Sequence, residues 1–126
     1  MKKALVLGYG RSGKAAEAVL KAQGYEVAVA DGYDLVVASP GLRVESELQL
    51  GVERLRRLGV KLLAVTGSKG KSSVVKIVAE ALNLAGRKAV PCGNYGLPVC
   101  DVPEDCEWAV VEVSSFQLET TTLPPD

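Results

Sequence analysis

The sequence predicts an α/β fold with mostly parallel sheets and flanking helices, and three observations predict it. Short β-branched or aliphatic runs alternate with segments of helical periodicity along the chain. The runs "ALVLG", "DLVVAS" and "WAVVEV" are continuously apolar, as strands buried on both faces are. Two strand-to-helix junctions, Gly8–Gly13 and Gly67–Gly70, are rich in glycine, at the sheet edge where such proteins collect ligands.

Taken in order, the first strand is expected over Ala4–Gly8, and a helix follows over Ser12–Gln23 with Ala15, Val19 and Ala22 on one face and Gly24 as its stop. Strands are expected at Glu26–Ala30 and Leu35–Ser39, the latter ended by Pro40-Gly41. A second helix over Glu45–Leu58 aligns Leu48, Val52, Leu55 and Leu58. Its Glu45 and Glu47 at the start and Arg54, Arg56 and Arg57 near the end complement the helix dipole. The strand Leu62–Thr66 leads to a third helix, Gly70–Ala85, with Val74, Ile77, Val78, Ala81, Leu82 and Ala85 expected inward and Gly86 as breaker. Strands at Lys88–Pro91 and Trp108–Val113 follow, and Pro124-Pro125 closes a last element.

Composition narrows the function. Lys plus Arg and Asp plus Glu both number 15, so no net charge draws the chain to nucleic acid or an acidic membrane. The N-terminal "MKKALVLGYGRSGKA" is broken by glycine and charge before signal-peptide length, and no run approaches the ~20 apolar residues that span a bilayer. Cys92, Cys100 and Cys106 are odd in number and form no C-x-x-C pair, which suggests reduced thiols with packing or surface roles in a cytoplasmic protein. Histidine is absent, which excludes His-activated nucleophiles and His-ligated zinc within this chain. Chemistry here must use carboxylates, lysines, hydroxyls, backbone amides or a bound metal.

Gly8-Tyr9-Gly10-Arg11-Ser12-Gly13 is a G-x-G-x-x-G opening a helix, with Asp31 at the end of the next strand. The glycines allow a tight turn and close approach of a phosphate, so a nucleotide or nucleotide-sugar site is expected; the plainer alternative is that they serve packing alone. The unit is too short for a full dinucleotide-binding half, which counts against an NAD enzyme. It reads as a shortened Rossmann-like unit over residues 1–44, followed by a connector helix and a phosphate-loop unit over residues 45–126.

Thr66-Gly67-Ser68-Lys69-Gly70-Lys71-Ser72-Ser73 lacks the usual first glycine, whose place is held by Val65. It still supplies a strand end, glycine amides for phosphate oxygens, Lys71 to reach the β- and γ-phosphates and Ser72 to ligate Mg²⁺. A glycine-rich turn with solvated lysines is the alternative.

"AVTGSKGKSS" resembles the ATP loop of the Mur ligases, T-G-[ST]-N-G-K-[ST]-[ST], with Lys69 where the family has Asn. "CGNYGLP" is similar to their G-N-x-G-x-P loop, and "VVEVSSFQLE" to the E-x-S-S-F-Q-L-E segment of the D-glutamate-adding branch. "GYGRSG" and "DLVVASPG" are similar to the N-terminal domain of that branch. The resemblance implies a partial P-loop ATPase-type central domain in the second unit. It also implies an ATP- and Mg²⁺-dependent ligase of peptidoglycan synthesis, adding D-glutamate to UDP-N-acetylmuramoyl-L-alanine through an acyl phosphate, cytoplasmic and monomeric.

By position, the resemblance implies that Gly67, Ser68, Lys69, Gly70, Lys71, Ser72 and Ser73 cradle ATP and that Lys71 stabilises the transferring phosphoryl group. Ser72 and Glu112 would hold Mg²⁺; Asn94, Ser114 and Gln117 would border the muramoyl-alanine end; Arg11, Ser12, Asp31 and Gly41 would line the uridine diphosphate site. The bare residues admit plainer roles. Glu112 can be a strand-terminal acid, Asn94 a turn residue beside Gly93 and Gly96, Ser114 and Ser115 helix caps with Gln117 in solvent, and Lys69 a solvated cation. The first unit is shorter than the family's, and the family's downstream Asp-His segment and C-terminal domain are not found before Asp126. The expectation is a fragment that binds without turnover, the alternative a non-catalytic nucleotide- or UDP-sugar-binding module derived from such a ligase.

Overall fold

The computed structural model describes residues 2–114, so the element ending at Pro124-Pro125 lies outside the described residues. The chain runs β1 (Lys3–Leu7), α1 (Arg11–Ala22), β2 (Glu26–Ala30), α2 (Glu47–Arg57), β3 (Lys61–Val65), α3 (Lys71–Leu84), β4 (Ala89–Gly93), a short 3-10 turn (Val99–Asp101) and β5 (Trp108–Glu112). It is an α/β fold with parallel sheets: β1 pairs with β2, and the second sheet has the order β3-β5-β4.

The central place of β5 explains its continuous apolar sequence. Successive strand side chains point to opposite faces. Val110 packs with Val75 and Ala79 of α3 and with Ala89, while Ala109 and Val111 join Leu48, Val52 and Leu55 of α2, together with Cys92 and Val99. Pro91 is tolerated because β4 is an edge strand.

Helix α2 begins at Glu47 because Ser46 caps it, its hydroxyl accepting from the Gln49 N–H at 3.0 Å. Leu48, Val52 and Leu55 are buried as expected, but Leu58 is already the C-cap and is exposed. On the other side of α2, Leu50 meets Ala15, Ala16 and Val19 of α1 and Cys100 of the 3-10 turn, so one cluster joins the two sheets. Helix α1 buries its middle turns there, and Ala22, expected on the same face, is exposed. The three cysteines are all buried and serve packing.

Two further expectations fail. Leu35–Ser39 is not a strand; it has no regular structure, and Leu35, Val36 and Val37 are exposed. The reason is connectivity, since a parallel strand needs a crossover of about a dozen residues and only Asp31–Asp34 separates β2 from this run. In α3, Val75, Val78, Ala79 and Leu82 face the sheet, whereas Val74, Ile77, Ala81 and Ala85 are exposed. Two apolar stripes with helical spacing lie side by side there, and the helix turns the second toward β4 and β5.

Candidate functional site

The parallel register brings the C-terminal ends of three strands together: Val65 and Gly93 both stand opposite Glu112. After Val65, residues 66–70 form the loop, and α3 starts at Lys71 with Gly70 as its N-cap in the left-handed conformation, φ +76°. Among the described residues no side chain caps this helix, so its first-turn amides remain available to an anion beside the positive end of the helix dipole. Gly67, Ser68, Lys69 and Gly70 are exposed, Lys71 is half-buried, and Ser72 and Ser73 follow in the first turn of α3.

Glu112 is buried, with 6% of its surface exposed, although it is the last residue of β5. The Ser72 hydroxyl donates to its Oε2 at 2.9 Å, spanning from helix to strand. Among the described residues no lysine or arginine forms an ion pair with it. Burying a carboxylate without a cation costs on the order of several kcal/mol, and a cation bound there would offset that cost.

The segment after β4 closes over the same edge. The Asn94 N–H donates to the Glu112 carbonyl at 3.1 Å, and the Gly93 N–H to the Leu97 carbonyl at 2.9 Å. Gly96 has φ +78°, and a Cβ there would lie 2.4 Å from the Pro91 carbonyl oxygen, so only glycine lets this loop fold back on β4. From the other sheet, the Arg11 guanidinium donates to the Gly96 carbonyl at 3.2 Å.

At the first turn, the Gly8 N–H donates to the Ala30 carbonyl and the Tyr9 N–H reaches Asp31 Oδ1 at 3.4 Å. Asp31 thus holds the turn in place. Gly13 is required by close approach, since a Cβ on it would lie 2.1 Å from the Gly8 carbonyl oxygen. The Tyr9 hydroxyl donates to Glu17 at 2.6 Å, which lowers the Glu17 carboxyl below its ordinary value.

Arg11, Asn94, Glu112 and Ser72 are therefore linked through the Asn94 loop, and Lys71 precedes Ser72 in α3. Ser12 lies exposed in the first turn of α1, and Ser114 is half-buried just past β5. Gly41 sits in an exposed turn where Leu42 N–H donates to the Ser39 carbonyl, apart from these links. Gln117 lies outside the described residues. Sequence reasoning did not single out Gly96, whose backbone carbonyl meets Arg11; the signal available was the paired Gly93 and Gly96 around Asn94.

No family model matches the chain. It is similar to three proteins named UDP-N-acetylmuramoylalanine--D-glutamate ligase. That of Methylobacillus flagellatus is 53% identical over 62 residues, covering 48% of this chain and 14% of that protein. The Gloeobacter violaceus protein is 42% identical over 78 residues, 51% of this chain and 18% of that protein. That of the Wolbachia of Brugia malayi is 42% identical over 64 residues, 51% of this chain and 13% of that protein. The matches thus span less than a fifth of the length of these relatives. Over about half its length the chain is similar to proteins named as D-glutamate ligases of this kind.

Proposed function

We propose that the chain is the nucleotide- and acceptor-binding part of an ATP-dependent ligase of the MurD type, a cytoplasmic monomer that joins D-glutamate to UDP-N-acetylmuramoyl-L-alanine in peptidoglycan synthesis. The observation that carries this reading is the Ser72–Glu112 pair: a buried carboxylate with no cationic partner among the described residues bonds the hydroxyl that follows Gly-Lys at the start of α3. The similarity to enzymes of that name supports the choice of substrates. In keeping with a soluble role, no helix among the described residues is long and apolar enough to cross a membrane.

One hydroxyl and one carboxylate suit a hard cation that completes its shell with water and phosphate oxygens. No group of three or more metal-ligating His, Cys, Asp or Glu forms a protein-only cage among the described residues. Ser72 and Glu112 would hold Mg²⁺, which when bound neutralises charge on the phosphates.

The amides of Gly67–Gly70 and the first turn of α3 cradle the triphosphate, with Ser68 and Ser73 able to add hydroxyl donors. Lys71 supplies fixed positive charge to the transferring phosphoryl group, and Lys69 adds charge at the exposed rim. The acceptor carboxylate attacks the γ-phosphorus and displaces ADP; the D-glutamate amine then attacks the acyl carbon and inorganic phosphate leaves. Asn94, Ser114 and Gln117 orient the acceptor so that its carboxylate meets the phosphate in line. Arg11, Ser12, Asp31 and Gly41 hold its uridine diphosphate end.

Titration calorimetry tests this reading. Mg·ATP is expected to bind the wild-type chain, and Lys71→Ala to weaken it by about 10- to 100-fold, the worth of a charge-assisted bond to phosphate. UDP-N-acetylmuramoyl-L-alanine is expected to bind both proteins. Equal Mg·ATP affinity in wild type and a folded Lys71→Ala variant would overturn the site.

A further inference from the structure

We propose that Arg11 is a positioning residue that couples the glycine-rich first turn to the loop beside Glu112, so that an anion held at the turn fixes the site at which phosphoryl transfer takes place. The inference rests on the functional reading above, but the contacts that suggest it are independent of any ligand.

Arg11 is the first residue of α1, beside the sheet formed by β1 and β2. Its guanidinium crosses to the second sheet and donates to the Gly96 carbonyl at 3.2 Å, joining residues 85 positions apart in sequence. That carbonyl belongs to a loop tied at its base to β4 and β5. The Leu97 N–H donates to the Pro91 carbonyl, the Gly93 N–H to the Leu97 carbonyl, and the Asn94 N–H to the Glu112 carbonyl. At Gly93 a Cβ would lie 2.4 Å from the Glu112 carbonyl oxygen, so this backbone rests directly on the residue whose side chain meets Ser72.

The charge on Arg11 has no carboxylate partner among the described residues. Asp31 accepts from the Tyr9 amide, and Glu17 is taken up by the Tyr9 hydroxyl and by Lys21 at 3.4 Å. A guanidinium carries five N–H donors in a rigid fork, and Gly96 uses one nitrogen of it. The remaining donors can grip a phosphate at the Gly8–Gly10 turn while the bond to Gly96 persists. A phosphate held there would immobilise the side chain and with it the loop that supports Asn94 and Glu112. The coupling is therefore positive: an anion at the turn tightens Mg·ATP binding at Ser72–Glu112, and by linkage Mg·ATP tightens the anion.

The test has two arms. Amide hydrogen exchange in the ligand-free chain reads the latch alone: Arg11→Met is expected to speed exchange at Asn94 and Leu97 by about fivefold or more, with Arg11→Lys restoring part of the protection. Unchanged exchange in Arg11→Met would overturn the latch. Calorimetry then measures the affinity of Mg·ATP with and without saturating UDP. In the wild type UDP is expected to tighten Mg·ATP by about fivefold or more, and in Arg11→Met the ratio is expected to fall to one even at UDP concentrations that saturate the variant. A ratio that persists in Arg11→Met, or a wild-type ratio of one with both ligands bound, would overturn the coupling. Failure of either ligand to bind the wild type would overturn the coupling by removing the functional reading beneath it, a result distinct from intact binding without coupling.

Discussion

Glu112 and Cys92 are both buried and titratable, and they are buried for opposite reasons. Glu112 lies at the end of β5 with a hydroxyl on one oxygen, where the proposed reading sets a cation. Cys92 is packed among the aliphatic residues beneath α2, where only the neutral thiol is tolerated, and desolvation pushes its pKa up to about 12. A raised folded pKa contributes stability that is complete below the thiol's ordinary value of 9.0 and is lost as pH rises toward about 12. The melting temperature is therefore expected to fall as pH rises from about 9. Cys92→Ala should be less stable at neutral pH and lose less on that alkaline limb; identical limbs in both proteins would contradict the assignment. The meeting of Ser72 with Glu112 was legible in the sequence because the chemistry of both resides in the side chain and their place is marked by a strand end. The partner of Arg11 was not, since any residue type supplies a backbone carbonyl and only the fold selects Gly96.

Among the elements, α2 shows packing overruling helix propensity. Gly51 lies in mid-helix, where replacement by alanine ordinarily gains up to about 1 kcal/mol. Here a Cβ would lie 2.5 Å from Val99 Cγ1 and 2.9 Å from the Cys100 amide nitrogen, because the 3-10 turn rests on this glycine. Overpacking of that kind costs about 1–3 kcal/mol, so Gly51→Ala is expected to be net destabilising by about 1–2 kcal/mol in urea denaturation. A stabilised variant would show that the turn yields at no cost. The strands with room to pair were readable from their apolar runs, and the helices from period and caps, to within a few residues at each end. Leu35–Ser39 was misread because an apolar run reports a capacity to pair, while pairing also requires a crossover long enough to carry the chain back. The inward stripe of α3 was misread because Val74-Val75 and Ile77-Val78 each offer an apolar side chain to two adjacent faces.

In the molecule as a whole, two parallel sheets on either side of residue 44 are joined by a small cluster, Ala15, Ala16, Val19, Leu50 and Cys100, and by the side-chain bond from Arg11 to Gly96. The glycine-rich turns were visible from their spacing, but their linkage was not, since it depends on the packing of α1 against α2 and the 3-10 turn. That arrangement links the first glycine-rich turn, through Arg11, and the Ser72–Glu112 pair, through the Glu112 carbonyl, to one loop around Asn94, as the proposed ligase reading requires. On the proposed reading, Glu112 is buried to hold Mg²⁺ with the triphosphate. That role is tested most directly by the calorimetric affinity for ATP in Mg²⁺ and in excess EDTA, for wild type and Glu112→Gln. Glutamine keeps the shape and can still accept from Ser72 but cannot offer a carboxylate. Mg²⁺ is expected to tighten ATP binding to the wild type by about tenfold or more and to leave Glu112→Gln nearly indifferent. An equal gain from Mg²⁺ in both proteins would contradict the account.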